Sequence, residues 1–372
     1  MEKIKICKKC IIPDSFPNVT FENGICSLCR NYKHFSQNNK TVLGKDKLLE
    51  ILTTKKTSKY NCVIPLSGGK DSSYILFYVV EELGLKPLAV FFDSSFVTDI
   101  AKRNIEKLCK KLSVDLVIVK SKSNFRRKLV KEGLYIFKFS KGRFLVICGN
   151  CENNLRTSAI NEATKRKIPF IIWGSTDFED SPAIFSNLGP LTFRENFGRI
   201  GTVKKIKKGF KALLDMLRLR ITLINKCKLI FHSLRYIYYR VRDNIDMGVS
   251  EGWKKLNPFL EVSFECKNVE AMYFYDYIKY DPYKYVEILK REIGWEAPFG
   301  KESRMDCKLH CVINYRYLKS TGITGDGFYL SGLIRNSLLT RRESMEKEEI
   351  LKKDSIRECQ RLFKELGVNV RL

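Results

Sequence analysis

A short polar stretch, SGGKDSS at residues 67–73, stands between the apolar runs CVIPL and YILFYVV. Two adjacent glycines let a chain turn tightly without Cβ obstruction, while a lysine and serines offer a positive charge and hydroxyl donors. Where such a turn opens a helix, free backbone N–H groups hold anions. The stretch therefore predicts a phosphate-binding turn. The G-x-x-x-x-G-K-[ST] spacing of the Walker A loop is absent.

Four cysteines near the amino terminus, Cys7, Cys10, Cys26 and Cys29, follow the spacing C-x2-C-x15-C-x2-C. Two pairs of this kind form tight knuckles that suit one tetrahedral Zn²⁺ ion. Four thiolates leave no coordination position open, so we expect a structural metal. Its loss should unfold roughly the first 35 residues.

Other cysteines and the histidines allow several interpretations. Cys148 and Cys151, in ICGNCENN, precede a predicted helix, where backbone dipoles favour a thiolate. They could form a redox pair. Together with Cys307 and Cys311, a later pair with x3 spacing, they could instead bind a second metal ion or an iron–sulfur cluster, or all four could be small buried residues. With three histidines in the chain, a Ser-His-Asp or Cys-His catalytic set has little support, and only His310, which lies between two cysteines in DCKLHC, stands out.

The elements that must position these residues alternate between strand and helix from about residue 60 to 175. The apolar runs are CVIPL, LAVFF, DLVIV and PFIIW, and the helical patterns cover residues 72–83, 98–112 and 151–167. Continuous apolar strands separated by helices indicate a parallel sheet covered on both faces. The predicted fold class is α/β with a doubly wound parallel sheet, whose ligands bind beyond the carboxyl ends of the strands.

The length of 372 residues predicts more than one structural unit. We expect a zinc-ribbon-like four-cysteine module at 1–40 and a nucleotide-binding sheet domain at 41–200. A basic amphipathic segment at 201–260 follows, and a helical region at 261–372 would contact substrate or partner. No apolar run reaches the roughly 20 residues that span a bilayer, so a cytoplasmic protein is expected.

The net charge is +27, from 68 basic and 41 acidic residues, which favours an anionic partner. Residues 204–242 carry twelve Lys or Arg and one acid, interleaved with apolar and aromatic residues. This segment could lie on an anionic membrane surface, dock a partner subunit, track RNA, or form a helical hairpin with a solvated basic face.

The turn resembles the S-G-G-x-D-S signature of the PP-loop ATP pyrophosphatases, which residues 67–72 match throughout. Those enzymes cleave ATP between its α and β phosphates and leave AMP on an oxygen to be displaced. The resemblance implies an adenine nucleotide α-hydrolase-like domain that binds ATP and Mg²⁺, with Asp177, Glu179 and Asp180 as possible Mg²⁺ ligands. The implied nucleotide contacts are Ser67, Gly68, Gly69, Lys70, Asp71, Ser72, Ser73, Phe92, Asp93 and Gly174. Ser67, Lys70 and Asp71 would be catalytic.

Longer segments resemble the N-acetyl sugar amidotransferases. They are the four-cysteine module, PLSGGKDSS, CGNC with the later IPFIIWG, GKESRMDC and GLIRNSLLTRRE. The resemblance covers nearly the whole chain except 204–242. It implies an enzyme of bacterial lipopolysaccharide O-antigen or pseudaminic-acid-type glycan synthesis.

That resemblance also implies a reaction and its partners. ATP would adenylate the acetamido oxygen of a UDP-N-acetyl sugar, and ammonia would displace AMP to give an acetamidino group. A separate glutaminase, with a cyclase-like subunit, would supply the ammonia. The residues we expect at the nucleotide sugar are Lys301, Glu302, Arg304, Arg335 and Arg341, with Asp306 and Arg342 as further candidates. The protein would be cytoplasmic, with 204–242 as a point of contact with the inner face of the membrane.

Two alternatives remain. A tRNA-modifying PP-loop enzyme of the thiolation type would account for the charge and the CGNC pair, although a recognisable RNA-binding domain is missing and nucleic acid is not the expected partner. A non-catalytic adaptor that binds zinc and a nucleotide is the other.

Overall fold

The computed structural model describes residues 5–32, 42–55, 59–120, 124–142, 145–176, 218–246, 269–297 and 305–369. The strands are β1 (Phe21–Glu22), β2 (Ile25–Cys26), β3 (Cys62–Leu66), β4 (Pro87–Asp93), β5 (Leu116–Lys120), β6 (Phe170–Trp173) and β7 (Glu270–Tyr273). The helices are α1 (Ser27–Arg30), α2 (Lys45–Thr54), α3 (Lys70–Phe77), α4 (Asp99–Lys111), α5 (Phe125–Phe139), α6 (Gly149–Lys165), α7 (Leu223–Asp246), α8 (Pro282–Ile293), α9 (His310–Thr321), α10 (Gly325–Arg335) and α11 (Arg341–Glu365). A π-helical turn at Tyr78–Glu82 continues α3.

Five strands form one parallel sheet in the order β5-β4-β3-β6-β7. The chain enters at the central β3, builds outward through β4 and β5, and returns to the other side of β3 with β6. The order of the strands therefore reverses between β3 and β6. This arrangement confirms the predicted doubly wound α/β fold. The fifth strand, β7, comes from the region beyond residue 261, which the sequence predicted to be helical.

Both faces of the sheet are covered, as the continuous apolar strands predicted. Ile64 and Leu66 of β3 belong to the core shared with α3 and α4, whereas Val63 belongs to the core shared with α6. Successive side chains of a strand point to opposite faces, so one short apolar run serves two cores.

The cysteine module and the carboxyl-terminal helices share the core of the first face. Phe16 of the module stacks on Phe328 of α10 with ring centroids 5.3 Å apart. Ser15 Oγ donates a hydrogen bond of 2.8 Å to the Thr321 carbonyl at the end of α9. The described part of the cysteine module is thus packed against residues some 300 positions later.

The described part of the basic segment lies largely in α7, which packs along α5. Leu229 and Tyr236 are buried there, whereas Phe231, Leu234 and Tyr238 are exposed. Residues 204–217 lie outside the described part of the chain. In the described helices, no stretch combines the length and the apolarity that crossing a bilayer would require.

Candidate functional site

The SGGKDSS turn joins β3 to α3 at the point where the strand order reverses. Gly68 has a φ of +82°, and a Cβ at this position would lie 2.4 Å from the Ala101 carbonyl oxygen. Glycine is therefore required by both backbone conformation and space. Trp295 Nε1 donates a hydrogen bond of 3.1 Å to the Gly68 carbonyl and fixes the turn from outside.

The serines hold the turn together and leave donors for a ligand. The Ser67 amide donates to Ser72 Oγ at 3.1 Å, and the Gly69 amide donates to Ser67 Oγ at 3.3 Å. The α3 helix begins directly after Gly69, and the N–H groups of a first turn have no acceptor within the helix. Ser73 Oγ is buried and has no hydrogen-bond partner among the described residues. An anion with several oxygens would satisfy these groups.

Lys70 and Asp71 are held by aromatic residues that come from later in the chain. The Lys70 side chain is 3% exposed, and its ammonium group pairs with the Asp71 carboxylate. Its Nζ lies 5.7 Å and 5.5 Å from the ring centroids of Tyr280 and Tyr329, which favours the cation. The Tyr275 hydroxyl donates to Asp71 Oδ1 at 3.3 Å. The lysine charge is therefore enclosed, and its contact with a phosphate stays a prediction.

The ends of β4 and β6 lie beside this turn in the sheet. At the end of β4, Asp93 accepts hydrogen bonds of 3.0 Å from both Lys102 Nζ and the Ser95 amide. Phe92 is buried. After β6, a Cβ on Gly174 would lie 2.7 Å from Ile75 Cδ1 of α3, so a larger residue there would require the Ile75 side chain to move. The sequence placed all three residues at the nucleotide, and the structure puts them at the carboxyl edge of the sheet.

Asp306 reaches the turn from the carboxyl-terminal region. A Cβ on Gly69 would lie 3.3 Å from Asp306 Oδ2. The backbone around Asp306 is anchored to the start of α4, because the Thr98 amide donates to the Asp306 carbonyl at 3.1 Å and Val97 forms a bridge with Cys307. The predicted candidates Lys301, Glu302, Arg304, Asp177, Glu179 and Asp180 lie outside the described residues.

Three of the four predicted arginines lie in the described residues, and they occupy different surroundings. Arg341 Nε donates to the carbonyls of Cys7 at 3.2 Å and Cys10 at 3.0 Å, so its side chain braces the cysteine module. Arg335 Nη1 is buried and has no hydrogen-bond partner in the described ranges, and Arg342 is exposed. A contact of any of them with a sugar diphosphate stays a prediction.

The sulfur atoms of Cys7, Cys10, Cys26 and Cys29 all lie within 4.8 Å of one another. Within the described ranges this is the one group of three or more potential ligands at such distances. Hydrogen bonding from Cys10, with a further bond from Cys29, lowers the pKa of Cys26 to about 2, whereas hydrogen bonding to Cys26 raises the pKa of Cys10. Four converging thiols, one of which is readily ionised, form the donor set that Zn²⁺ prefers.

A second group of thiols lies where α5, α6 and the Cys307 segment meet. Burial, and then the charges of Cys151 and Cys148, raise the pKa of Cys307. Arg126 is buried nearby, and its guanidinium has no hydrogen-bond partner in the described structure and lies 3.7 Å from Asp243. Burial lowers the pKa of Arg126, but the charges of Cys151 and Asp243 raise it overall. The structure thus places Cys307 near the Cys148–Cys151 pair, as one of the sequence interpretations required, and adds Arg126, which the sequence did not single out.

Fold and site together define a doubly wound α/β protein with a glycine turn at its switch point, where free backbone donors suit an anion, and a four-cysteine module. No protein-family profile matches the chain.

Two curated proteins of Methanocaldococcus jannaschii are similar to parts of it. Uncharacterized protein MJ1599 is 33% identical over 97 residues, which are 26% of this chain and 34% of that protein. Uncharacterized protein MJ1016 is 28% identical over 143 residues, which are 38% of this chain and 45% of that protein. The chain therefore spans less than half the length of these relatives.

Among solved structures, the NMN synthetase of Francisella tularensis is similar at 16% identity and a TM-score of 0.28, over 63% of this chain and 99% of that one. Similarity at this level adds nothing to the assignment of the fold, which depends on the strand order and the turn.

Proposed function

We propose that the chain is an ATP-dependent, AMP-forming amidotransferase that converts the acetamido group of a nucleotide-linked N-acetyl sugar into an acetamidino group. The observation that carries the proposal is the glycine turn at the switch point. Its Gly68 conformation, the backbone N–H groups in the first turn of α3 and the Ser73 hydroxyl, which has no partner among the described residues, would form a cradle for the phosphates of ATP.

The chemistry needs such a cradle and no protein nucleophile. An acetamide resists ammonia because its oxygen is a poor leaving group, and adenylation turns that oxygen into part of AMP. Donors at the turn would stabilise the charge that develops on the departing pyrophosphate. Mg²⁺ bound with the nucleotide would neutralise phosphate charge, and Asp93 is the described carboxylate that we expect to hold it. Zn²⁺ in the cysteine module would stabilise the fold only.

The ammonia would come from a separate glutaminase, with a cyclase-like subunit, since no cysteine of the chain has the sequence surroundings of a glutaminase nucleophile. The charge of +27 suits a substrate that carries a diphosphate.

The test is a reaction of the purified chain with ATP, ammonium and a series of UDP-N-acetyl sugars, followed by mass spectrometry. We expect one sugar to exchange an oxygen for an NH group, with stoichiometric AMP and pyrophosphate. The Ser67→Ala and Asp71→Asn variants should lose turnover and retain their zinc. If both variants remained fully active, or if no N-acetyl sugar released AMP, the proposal would fail.

A thiolation-type tRNA-modifying enzyme is the second candidate, and the grouping of Cys148, Cys151 and Cys307 near Arg126 favours it. Thiols grouped in this way could carry a sulfane sulfur that a separate persulfide donor transfers to one of them, and pass it to the adenylated tRNA. This candidate predicts that tRNA stimulates AMP release and that Cys307→Ser abolishes it. Stimulation by an N-acetyl sugar and an active Cys307→Ser variant would exclude it.

A further inference from the structure

Two cysteines of the CGNC motif lie in the first turn of α6. Cys148 is the residue directly before the helix and is exposed, whereas Cys151 is half-buried, and both are free thiols. The Cys151 amide donates a hydrogen bond of 2.9 Å to the Cys148 carbonyl. A turn closed in this way brings the two Cα atoms within about 7 Å, and disulfides usually span about 4.4–6.8 Å between Cα atoms. The backbone therefore allows the two sulfur atoms to bond.

A buried positive charge lies beside this turn. The Arg126 side chain is 1% exposed, and none of its three guanidinium nitrogens has a hydrogen-bond partner in the described parts of the chain. Its Nη1 lies 3.7 Å from Asp243 Oδ2, which accepts a hydrogen bond of 2.9 Å from Asn154 Nδ2, one turn after Cys151 on α6. A buried guanidinium and a helix N-terminus both favour a thiolate, the form of cysteine that attacks disulfides.

A third thiol, Cys307, is close to the pair but differs from it. It packs against the same core as Ile147, the residue before Cys148. Burial raises the pKa of Cys307, and the charges of Cys151 and Cys148 raise it further, so this thiol stays protonated. As a set of three, these sulfur atoms do not lie within 4.8 Å of one another, which among the described residues holds for the four-cysteine module. The arrangement therefore suits a reaction of two cysteines better than a metal centre.

The pair is also in contact with the end of β4. Cys151 packs, together with Leu155, against the buried Phe92, which precedes Asp93. A disulfide needs the two sulfur atoms about 2.05 Å apart, so at least one of the free thiols has to turn towards the other. Formation of the bond would therefore alter the packing of Cys151 on Phe92.

We propose that Cys148 and Cys151 form a reversible disulfide that weakens nucleotide binding, so that the CGNC turn is a redox switch of the nucleotide site. The inference rests on the proposed function in one respect, which is that the glycine turn binds ATP. It does not depend on the identity of the acceptor.

The oxidant is a low-molecular-weight disulfide such as glutathione disulfide. The exposed Cys148 thiolate attacks one of its sulfur atoms, the S–S bond breaks, and one glutathione leaves as a thiolate. Cys151 then gives its proton to solvent, and its sulfur attacks the Cys148 sulfur of the mixed disulfide, so that the second glutathione leaves. Two cysteine thiols are thereby oxidised to one disulfide, and glutathione disulfide is reduced to two thiols.

The experiment places the full, zinc-loaded chain in glutathione buffers of defined potential, alkylates the free thiols and maps the disulfides by mass spectrometry. We expect a Cys148–Cys151 disulfide that dithiothreitol reverses, with the zinc retained. Oxidation should raise the Kd for α,β-methylene-ATP, which cannot be cleaved between its α and β phosphates, by about tenfold. Because coupling is reciprocal, saturation with this analogue should raise the midpoint potential of the pair by about 30 mV, which is tenfold for two electrons.

The variants Cys148→Ser and Cys151→Ser should bind the analogue like the reduced wild type and should not respond to oxidation. Cys227→Ser is the matched control, since Cys227 is an exposed cysteine on α7, and it should respond like the wild type. Cys307→Ser should also keep both the disulfide and the shift in Kd. This last result separates the switch from a sulfur-transfer role, which would need Cys307.

The proposal would be overturned if both thiols stayed reduced in a glutathione buffer at about −180 mV. A disulfide that left the Kd of the analogue unchanged, or one that joined Cys148 to Cys307, would contradict it equally. A second metal ion per chain that is lost in Cys148→Ser would show that the thiols form a metal centre instead. If the reduced wild type did not bind the analogue at all, the proposed function would fail and the switch with it, even where the disulfide formed.

Discussion

At the scale of single residues, Gly68 is the position where the backbone conformation matters most for the proposed nucleotide-binding turn. The Gly68→Ala change introduces a Cβ at φ +82° that would lie 2.4 Å from the Ala101 carbonyl. We expect a loss of about 3 kcal/mol in the free energy of unfolding, together with loss of ATP binding. Gly84→Ala is the matched control, since Gly84 has φ +64° and no atom within 4 Å of an added Cβ.

Urea denaturation and nucleotide titration of the two variants distinguish the cost of a left-handed backbone conformation from the cost of the steric clash with Ala101. Gly84→Ala should cost only the 1–2 kcal/mol or so of the left-handed conformation and should leave ATP binding intact. Equal effects of the two substitutions would mean that the contact with Ala101 plays no part in shaping the turn.

A second residue, Glu348, makes stability depend on pH. Burial raises its pKa from the ordinary 4.5 to about 7, even though it accepts hydrogen bonds from the Thr324 amide at 2.8 Å and the Thr324 hydroxyl at 2.5 Å. The native state then holds a proton that the unfolded state has lost above its ordinary pKa. Stability from this group is complete at low pH and declines as the pH rises through about 7.

The Glu348→Gln variant should lack this decline. Between pH 4.5 and pH 8 the wild type should lose up to about 3 kcal/mol relative to the variant, as measured by urea denaturation. Glu349→Gln on the same helix is the control, because its side chain is 63% exposed. A constant difference between wild type and Glu348→Gln at all pH values would contradict the prediction.

At the scale of elements, the cysteine module depends on a side chain from α11. Arg341 Nε donates to two carbonyls of the first knuckle, so the Arg341→Ala variant leaves these acceptors unpaired. We expect it to lower the free energy of unfolding by about 1–2 kcal/mol and to speed the release of zinc to a chelator. Arg342→Ala, at the exposed neighbouring position, should change neither quantity. Zinc release at the wild-type rate from Arg341→Ala would contradict this role.

Strands that short apolar runs mark in the sequence could be predicted, whereas a strand that depends on pairing with a distant segment could not. The strands β3 to β6 are short apolar runs bounded by turn residues, and each was predicted close to its observed position. The strand β7 was missed because its sequence, EAMY, is short, begins with a charged residue and has its first two residues exposed at the edge of the sheet. What makes it a strand is pairing with β6, which lies about 100 residues earlier.

At the scale of the whole molecule, the residues of the candidate site also divide into those that the sequence could predict and those that it could not. Residues 67–73 and Gly174 carry a motif or follow a strand, so they could be predicted. Trp295 and Tyr275 contact the turn from 227 and 204 positions away, and nothing in their own surroundings marks them. Cys307 comes near Cys148 and Cys151 only through the fold. The sequence therefore predicted the residues of the glycine turn, and the tertiary structure showed which residues from later in the chain enclose it.

The net charge of the chain is +27, and part of the excess lies on α7, where basic residues are interleaved with exposed apolar ones. We expect the chain to bind anionic vesicles in a salt-dependent way, through the exposed face that includes Phe231 and Leu234. Changing both to serine should weaken vesicle binding by about tenfold while leaving the free energy of unfolding within about 0.5 kcal/mol, because neither side chain is in the core.

The buried face of α7 provides the contrast. Leu229→Ala should cost about 3 kcal/mol, since Leu229 is 1% exposed in the core with α5. Flotation with phosphatidylglycerol and with phosphatidylcholine vesicles, at low and high salt, makes the comparison. Equal flotation with both lipids, or full binding by the Phe231→Ser, Leu234→Ser double variant, would show that the basic face of α7 is simply solvated. In that case the excess charge would serve the anionic substrate alone.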